Sequence, residues 1–389
     1  MQNLAFNIQN FTTVLFKDVI GHQHIKETLI NSVRSSRVSH AQMFIGQNGT
    51  GALPMALAYA QYVNCKNPGE NDSCGECDPC KKTMTLEYAD LHFSFPVITK
   101  KPGEKPKSAD FLKEFRKAVL DNPYLSYPDW METIAEENKQ GNISAEEARD
   151  IIKRLSFKPM YEGFKIMLIW MPERLGKEGN ILLKILEEPP VNTLFLLVAQ
   201  SEEQILPTIL SRTQVLRIPA IETSEMEKAL QERLEMEAEE AARIAYLAQG
   251  NYNTALQMSR DSSSNYTEEF IVWMRLCFKP DWPGIVKWVD NMATTGRESQ
   301  KNFLVYGLRL LREAFLLNRQ VDELTHLLPS EKEFIIKFSP HIGQNNITEL
   351  AECFSTAHYH IERNAHPKIL FFNLSLQVNG LLQRHRQRA

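Results

Sequence analysis

Short, fully apolar runs alternate with stretches whose apolar positions return every three or four residues. The runs are Met43-Phe44-Ile45, Lys165 to Trp170 (apolar after its first residue) and Leu194 to Ala199. A run without polar alternation predicts a strand buried on both faces. Between the runs, Ile25, Leu29 and Val33 share one helical face, and Met55 to Val63 continues as an Ala- and Leu-rich helix. Phe111 to Leu120 predicts another helix. Ser144-Ala145-Glu146-Glu147 has the capping-box form and predicts a helix start, running to about Leu155. Asn180 to Leu186 predicts a helix stopped by Glu187-Glu188-Pro189-Pro190. Buried strands alternating with helices imply a parallel sheet in an α/β domain that ends near Pro219.

Beyond Pro219 the strand signals stop. Residues 222–260 carry helical periodicity with an acidic bias, broken at Gly250-Asn251-Tyr252-Asn253. Residues 265–389 have the three- and four-residue apolar spacing of a packed helical bundle, as in Phe303 to Leu317 and Ile369 to Gln383. The expected domains are 1–219, 220–262 and 263–389. The segment 91–143 carries a charged, turn-rich stretch from Lys100 to Lys107, then Tyr124, Tyr127 and Trp130. Its aromatics could dock a partner or cover the first domain, and the cover is the favoured reading.

Composition narrows the class. The 389 residues are 43% hydrophobic and 24% charged, as in an ordinary soluble protein. The net charge of −4 gives no global attraction to nucleic acid. No apolar run approaches the roughly 18 residues of a membrane span. Met1 to Phe16 lacks the form of a signal peptide, so a cytoplasmic location is expected.

Four of the six cysteines fall in the pattern C-x8-C-x2-C-x2-C, at Cys65, Cys74, Cys77 and Cys80. Four thiolates so close in sequence can close a tetrahedral shell around structural Zn²⁺. A reducing cytoplasm disfavours disulfides. An iron–sulfur cluster is the other alternative, and the ferredoxin continuation is missing after Cys80. Cys277 and Cys353 lie in apolar stretches and are read as core.

Gly46-Gln47-Asn48-Gly49-Thr50-Gly51-Ala52-Leu53 joins the first strand to its helix. It has the spacing of a phosphate-binding loop, G-x-x-x-x-G-K-(S/T), with Ala52 in place of the lysine and Leu53 in place of the hydroxyl. Backbone amides at Gly46, Gly49 and Gly51 could still cradle an anion weakly.

Several motifs together resemble the clamp-loader branch of the AAA+ ATPases, in its bacterial DNA polymerase III delta-prime class. They are Val19-Ile20-Gly21-His22, Ser39-His40-Ala41, the four cysteines after the loop helix, Asn180 through Pro190, Thr208-Ile209-Leu210-Ser211-Arg212, and Arg363-Asn364-Ala365-His366-Pro367-Lys368. The resemblance implies an AAA+ α/β domain with an embedded zinc module, a small helical lid and an all-α collar. It implies gamma/tau and delta subunits, a sliding clamp and primer-template DNA as partners. It also implies that Arg212, with Ser211, serves in trans at a neighbouring subunit's ATP site.

Other family positions depart from the ATPase pattern. The Lys165–Ile169 run leads into Trp170-Met171-Pro172-Glu173 where Asp-Glu is expected, Gln200 or Ser201 stands near the sensor position, and Asn253 replaces a lid arginine. These losses give the expectation of a scaffold without its own ATPase, binding neither ATP nor Mg²⁺. The rival readings are a gamma-type ATPase and a zinc-containing nucleic-acid binding module outside replication.

Overall fold

The structure is a computed structural model and describes residues 15–99, 105–135, 139–260, 266–321, 327, 329–363 and 365–388. The chain divides into two compact units, Met1–Leu256 and Gln257–Ala389.

The first unit is built on one parallel sheet. Its strands are β1 (Ala41–Ile45), β2 (Leu91–Ser94), β3 (Lys165–Trp170), β4 (Thr193–Ala199) and β5 (Gln214–Arg217), in the order β2-β3-β4-β1-β5. The three central strands are the apolar runs of the sequence. Side chains alternate between the faces of a strand. Ile166, Leu168, Trp170, Leu194, Leu196, Val198 and Phe44 therefore join one core. Met167, Ile169, Phe195, Leu197, Ala41, Met43 and Ile45 join the other. Both edge strands escaped the sequence pattern. β5 is only half covered and β2 is four residues long, so neither shows a continuous apolar run.

Helices α1 (Gln23–Arg34) and α2 (Ala52–Val63) cover the first face, and α3 (Asp78–Met84) carries the last of the four clustered cysteines. The 91–143 segment adds α4 (Leu112–Asp121) and α5 (Tyr127–Ile134) to that face. Phe95 stacks on Phe115 at 3.9 Å, and Trp130 meets both rings edge-on. The segment's ends are pinned by a Val97–Asn142 bridge. Its aromatics cover the sheet, as expected, although part of the Lys100–Lys107 stretch lies outside the described residues.

The other face carries α6 (Ala145–Ser156), α7 (Leu183–Glu187) and α8 (Pro207–Leu210). Ser144 caps α6 by accepting from the Glu147 amide at 3.2 Å. The Glu147 carboxylate does not complete the box. It accepts from the Ser108 amide at 2.9 Å and from Arg154 at 3.0 Å, fastening the covering segment to α6. The helix expected from Asn180 is shorter than its pattern. Pro172–Leu182 winds as 3₁₀ turns around a left-handed Gly176, and the α-helix starts only at Leu183. Helices α9 (Thr223–Leu234), α10 (Ala238–Ala248) and α11 (Tyr252–Arg260) follow β5.

The second unit contains α12 (Tyr266–Phe278), α13 (Trp282–Thr294), α14 (Arg297–Asn318), α15 (Pro329–Phe338), α16 (Ile347–Glu362) and α17 (Pro367–Arg388). Trp273 stacks on Trp288 at 5.2 Å and is surrounded by Phe303 and Phe354. Its indole donates to Ser375 at 2.8 Å, so the buried polar atom is satisfied. Lys368, in the last sequence motif, pairs with Asp290 of α13 at 2.7 Å. Among the described residues no helix is long and apolar enough to cross a membrane.

Candidate functional site

The four motif cysteines meet. Their sulfur atoms all lie within 4.8 Å of one another, and none forms a disulfide. Cys65 follows the end of α2, Cys74 and Cys77 flank a tight turn, and Cys80 sits on α3. Gly75 makes that turn possible with φ +72°. Cys65 and Cys74 sulfurs are 3.5 Å apart, Cys74 and Cys80 3.9 Å. A tetrahedral zinc–thiolate shell with bonds of ~2.3 Å has edges of about 3.8 Å, so this donor set fits Zn²⁺. The Cys74 amide donates to Cys65 Sγ at 3.2 Å and the Cys77 amide to Cys74 Sγ at 3.4 Å, contacts that favour thiolates. Burial pushes the Cys65 and Cys80 thiols up. Burial acts upward at Cys74 too, but the Cys77 and Glu76 amides outweigh it and bring that thiol down to about 6.

The cysteine module also anchors its surroundings. Asp72 accepts from the Phe16 amide at 3.1 Å and the Lys17 amide at 2.9 Å. Asn64 both donates to and accepts from Phe164, at 2.9 and 2.8 Å, tying the end of α2 to the start of β3.

The phosphate-type loop connects β1 to α2 as expected, with Gly49 at φ +71° and Gly51 at φ +101°. Ala52 and Leu53 are buried in the first turn of α2. The loop is closed by the chain itself. The Tyr252 amide donates to the Gly49 carbonyl at 2.9 Å. A Cβ on Gly49 would lie 1.8 Å from Asn251 Oδ1. Tyr124 packs edge-on against Tyr252 at 4.8 Å and accepts from the Ile20 amide at 2.8 Å. Asn253 donates to Asp129 and accepts from Asn122, both at 2.6 Å. The cavity left, bordered by Gly46, Ala52, Tyr124 and Trp170, is about 30 Å³. Small-molecule pockets start near ~300 Å³. Of this closure, the sequence pointed only to Asn253. The covering residues Asn122, Tyr124 and Asp129 come from a segment without a motif.

Of the remaining family positions, Glu173 meets Gln200 and Ser201, whereas Trp170 makes no such contact. Trp170 is buried against Phe115 at 5.7 Å, with no oxygen to offer a metal. Glu173 turns toward the end of β4, where it accepts from the Gln200 amide and, at 3.1 Å, from the Ser201 amide. Burial pushes its carboxyl up despite those amides. The Gln200 side chain reaches Asn48 in the loop.

Arg212 lies past the end of α8. Its Nε and Nη2 both donate to Glu187 Oε2, at 3.2 and 3.1 Å, and its Nη1 donates to the Thr208 carbonyl at 3.0 Å. Ser211 supplies a longer contact to Nη1 at 3.4 Å. Two separate motifs therefore converge on one ion pair. Nearby, His40 of a third motif contacts the Leu186 carbonyl at 3.0 Å at the end of α7. No local pattern signals the Glu187–Arg212 contact, because its partners are 25 positions apart.

Comparison with known proteins gives the family context. The family described as DNA polymerase III, delta subunit, matches residues 21–222. The tau/gamma subunit of Haemophilus influenzae is 26% identical over 250 residues, covering 63% of this chain and 30% of that protein. The Bacillus subtilis tau subunit is 27% identical over 249 residues, covering 62% and 37%. The gamma subunit of Buchnera aphidicola subsp. Acyrthosiphon pisum is 26% identical over 249 residues, covering 62% and 57%. The chain thus spans about a third of the first two relatives. A solved gamma subunit-related protein of Thermotoga maritima aligns with 93% of this chain and 99% of its own, at 18% identity and a TM-score of 0.37.

These relatives correct one expectation. Tau and gamma subunits are ATPases, so the reading of a chain without ATPase activity of its own does not stand. That reading rested on replaced side chains at Ala52, Leu53, Trp170 and Met171. A phosphate loop also works through backbone amides at a helix N-terminus, and that framework is present.

Proposed function

The chain belongs to the DNA polymerase III delta subunit family, and from that premise we propose that it is a clamp-loader subunit of the delta-prime kind. In this reading it assembles with gamma/tau and delta subunits, helps to place a sliding clamp on primer-template DNA, and presents Arg212 to a neighbouring subunit's ATP site. Residues 1–219 are the AAA+ domain with its zinc module, 220–262 the lid and 263–389 the collar. The reading does not depend on nucleotide turnover by this chain.

The observation that carries it is the Arg212 corner. The guanidinium side chain is 31% exposed and is held along its Nε–Nη2 edge. An arginine supplied in trans stabilises charge on a transferring γ-phosphoryl group, worth on the order of 10³–10⁵ in rate at the affected site. Zn²⁺ at Cys65, Cys74, Cys77 and Cys80 is structural in this reading: four protein thiolates leave no open position.

The test is DNA-stimulated ATP hydrolysis and clamp loading by the reconstituted assembly. Arg212→Ala should slow both while leaving assembly intact. Arg212→Lys should rescue poorly, because an ammonium lacks the planar fork of donors. Wild-type rates for Arg212→Ala in both assays would remove the finger. A second reading, the gamma-type ATPase, is favoured by the names of the relatives. It predicts ATP turnover by the isolated chain that Arg212→Ala leaves unchanged.

A further inference from the structure

We propose that Glu187 is the positioning residue of Arg212, setting the direction in which the guanidinium faces a partner's phosphate. This rests on the trans-arginine reading and deepens it.

A guanidinium on a free side chain samples many rotamers, and ordering it on binding costs conformational entropy. Here that ordering is already present in the folded chain. Both donors on the Nε–Nη2 edge converge on one oxygen, Glu187 Oε2. The opposite end is fixed by a backbone acceptor, the Thr208 carbonyl at 3.0 Å. Glu187 therefore engages the inner edge. The second hydrogen of Nη2 is left for a phosphate, and that of Nη1 makes only the long 3.4 Å contact with Ser211 Oγ, which a phosphate oxygen can displace.

Glu187 is itself well placed to act as a fixed support. It is the last residue of α7, whose Leu186 is buried in the sheet core, and Pro189 and Pro190 follow closely. Proline restricts the residue before it, here Glu188, and stops the helix, so Glu187 closes α7 at a defined point. The carboxylate is 61% exposed. Such a pair contributes little to folding stability, so its removal should leave the fold intact. Its consequence is directional: one carboxylate oxygen selects one guanidinium orientation.

The experiment uses the full chain in the reconstituted loader. Glu187→Gln keeps the side-chain shape and removes the charge. It should lower the DNA-stimulated turnover number about three- to fivefold, with little change in the KM for ATP. Glu187→Asp, one methylene short, should fall between the two. Raised salt should bring the wild-type chain toward Glu187→Gln, because an exposed pair is screened. The double variant Arg212→Ala/Glu187→Gln should be no slower than Arg212→Ala alone, because Glu187 acts only through Arg212.

The outcomes separate the two ideas. Arg212→Ala slow with Glu187→Gln at the wild-type rate keeps the trans arginine and overturns the positioning role. Additive losses in the double variant also overturn it, since Glu187 would then act by another route. Arg212→Ala at the wild-type rate overturns both.

Discussion

The cysteine module and the phosphate-type loop are neighbours in the chain, and both follow a spacing rule, yet they carry their chemistry in different atoms. In the module, the chemistry lies in the side chains: four thiols, and the fold brings all four within 4.8 Å. In the loop, part of the chemistry lies in the backbone. Its glycines and helix start are in place, while its side chains have changed and its mouth is covered by Asn251, Tyr252 and Tyr124. A motif made of ligands is tested by whether its ligands meet, and here they do. One made partly of amides is not settled by counting missing side chains, and the tau and gamma relatives overturned the inference drawn that way.

The largest effect that could break this contrast is at the metal. Wild-type chain should contain one zinc per molecule by elemental analysis. Cys80→Ser, at the buried ligand, should abolish it and destabilise the first unit by at least about 4 kcal/mol, since metal binding is coupled to folding. The loss should extend to the turn at Phe16–Asp18, which Asp72 anchors, and hydrogen exchange there would report it. A zinc-free wild-type chain of unchanged stability, or an iron–sulfur absorbance, would break the side-chain half of the comparison.

A smaller effect tests the backbone half. Gly49→Ala places a Cβ where φ is +71° and 1.8 Å from Asn251 Oδ1. Asn251 cannot swing freely, because that oxygen accepts from the Thr254 amide at 3.1 Å and caps α11. The expected cost is about 2–3 kcal/mol, of which the left-handed backbone supplies ~1–2 and the clash the rest. Adding Asn251→Ala should return the clash part and expose the loss of the cap. Chemical denaturation of the two single variants and the double variant measures this. Strict additivity would mean that Asn251 does not close the loop in solution.

How far the sequence was legible follows the same division. The three central strands were readable because burial on both faces leaves an unbroken apolar run. The edge strands β2 and β5 were not, since an edge needs no such run. The capping box at Ser144 marked the helix start correctly, but Glu147 was taken by Ser108 and Arg154, a tertiary contact that local pattern does not encode. At the sites, the cysteines were legible because every ligand is local. The partner of Arg212 was not, because Glu187 meets it only through the packing of α7 and α8 onto the sheet.

The smallest effect expected is a pH dependence that joins the two regions. His22 follows the Phe16–Asp18 turn that the cysteine module anchors, and its Nε2 contacts the Thr50 carbonyl of the loop at 2.7 Å. Burial lowers its pKa below the ordinary 6.5, against the upward pull of the Thr50 hydrogen bond. Between the lowered folded value and 6.5 the unfolded chain binds more protons than the folded one, so stability rises with pH in that window. It is lost as pH falls below 6.5 toward the folded value. His22→Gln should flatten this part of the profile and leave any acid loss of zinc untouched, because thiolate protonation at the cysteines is a separate event. Denaturation midpoints between pH 7.5 and 5, with zinc content followed in parallel, separate the two. An unchanged slope in His22→Gln would show that the histidine does not titrate with folding, and would leave the acid response to the metal site and to His92, which burial lowers to about 4.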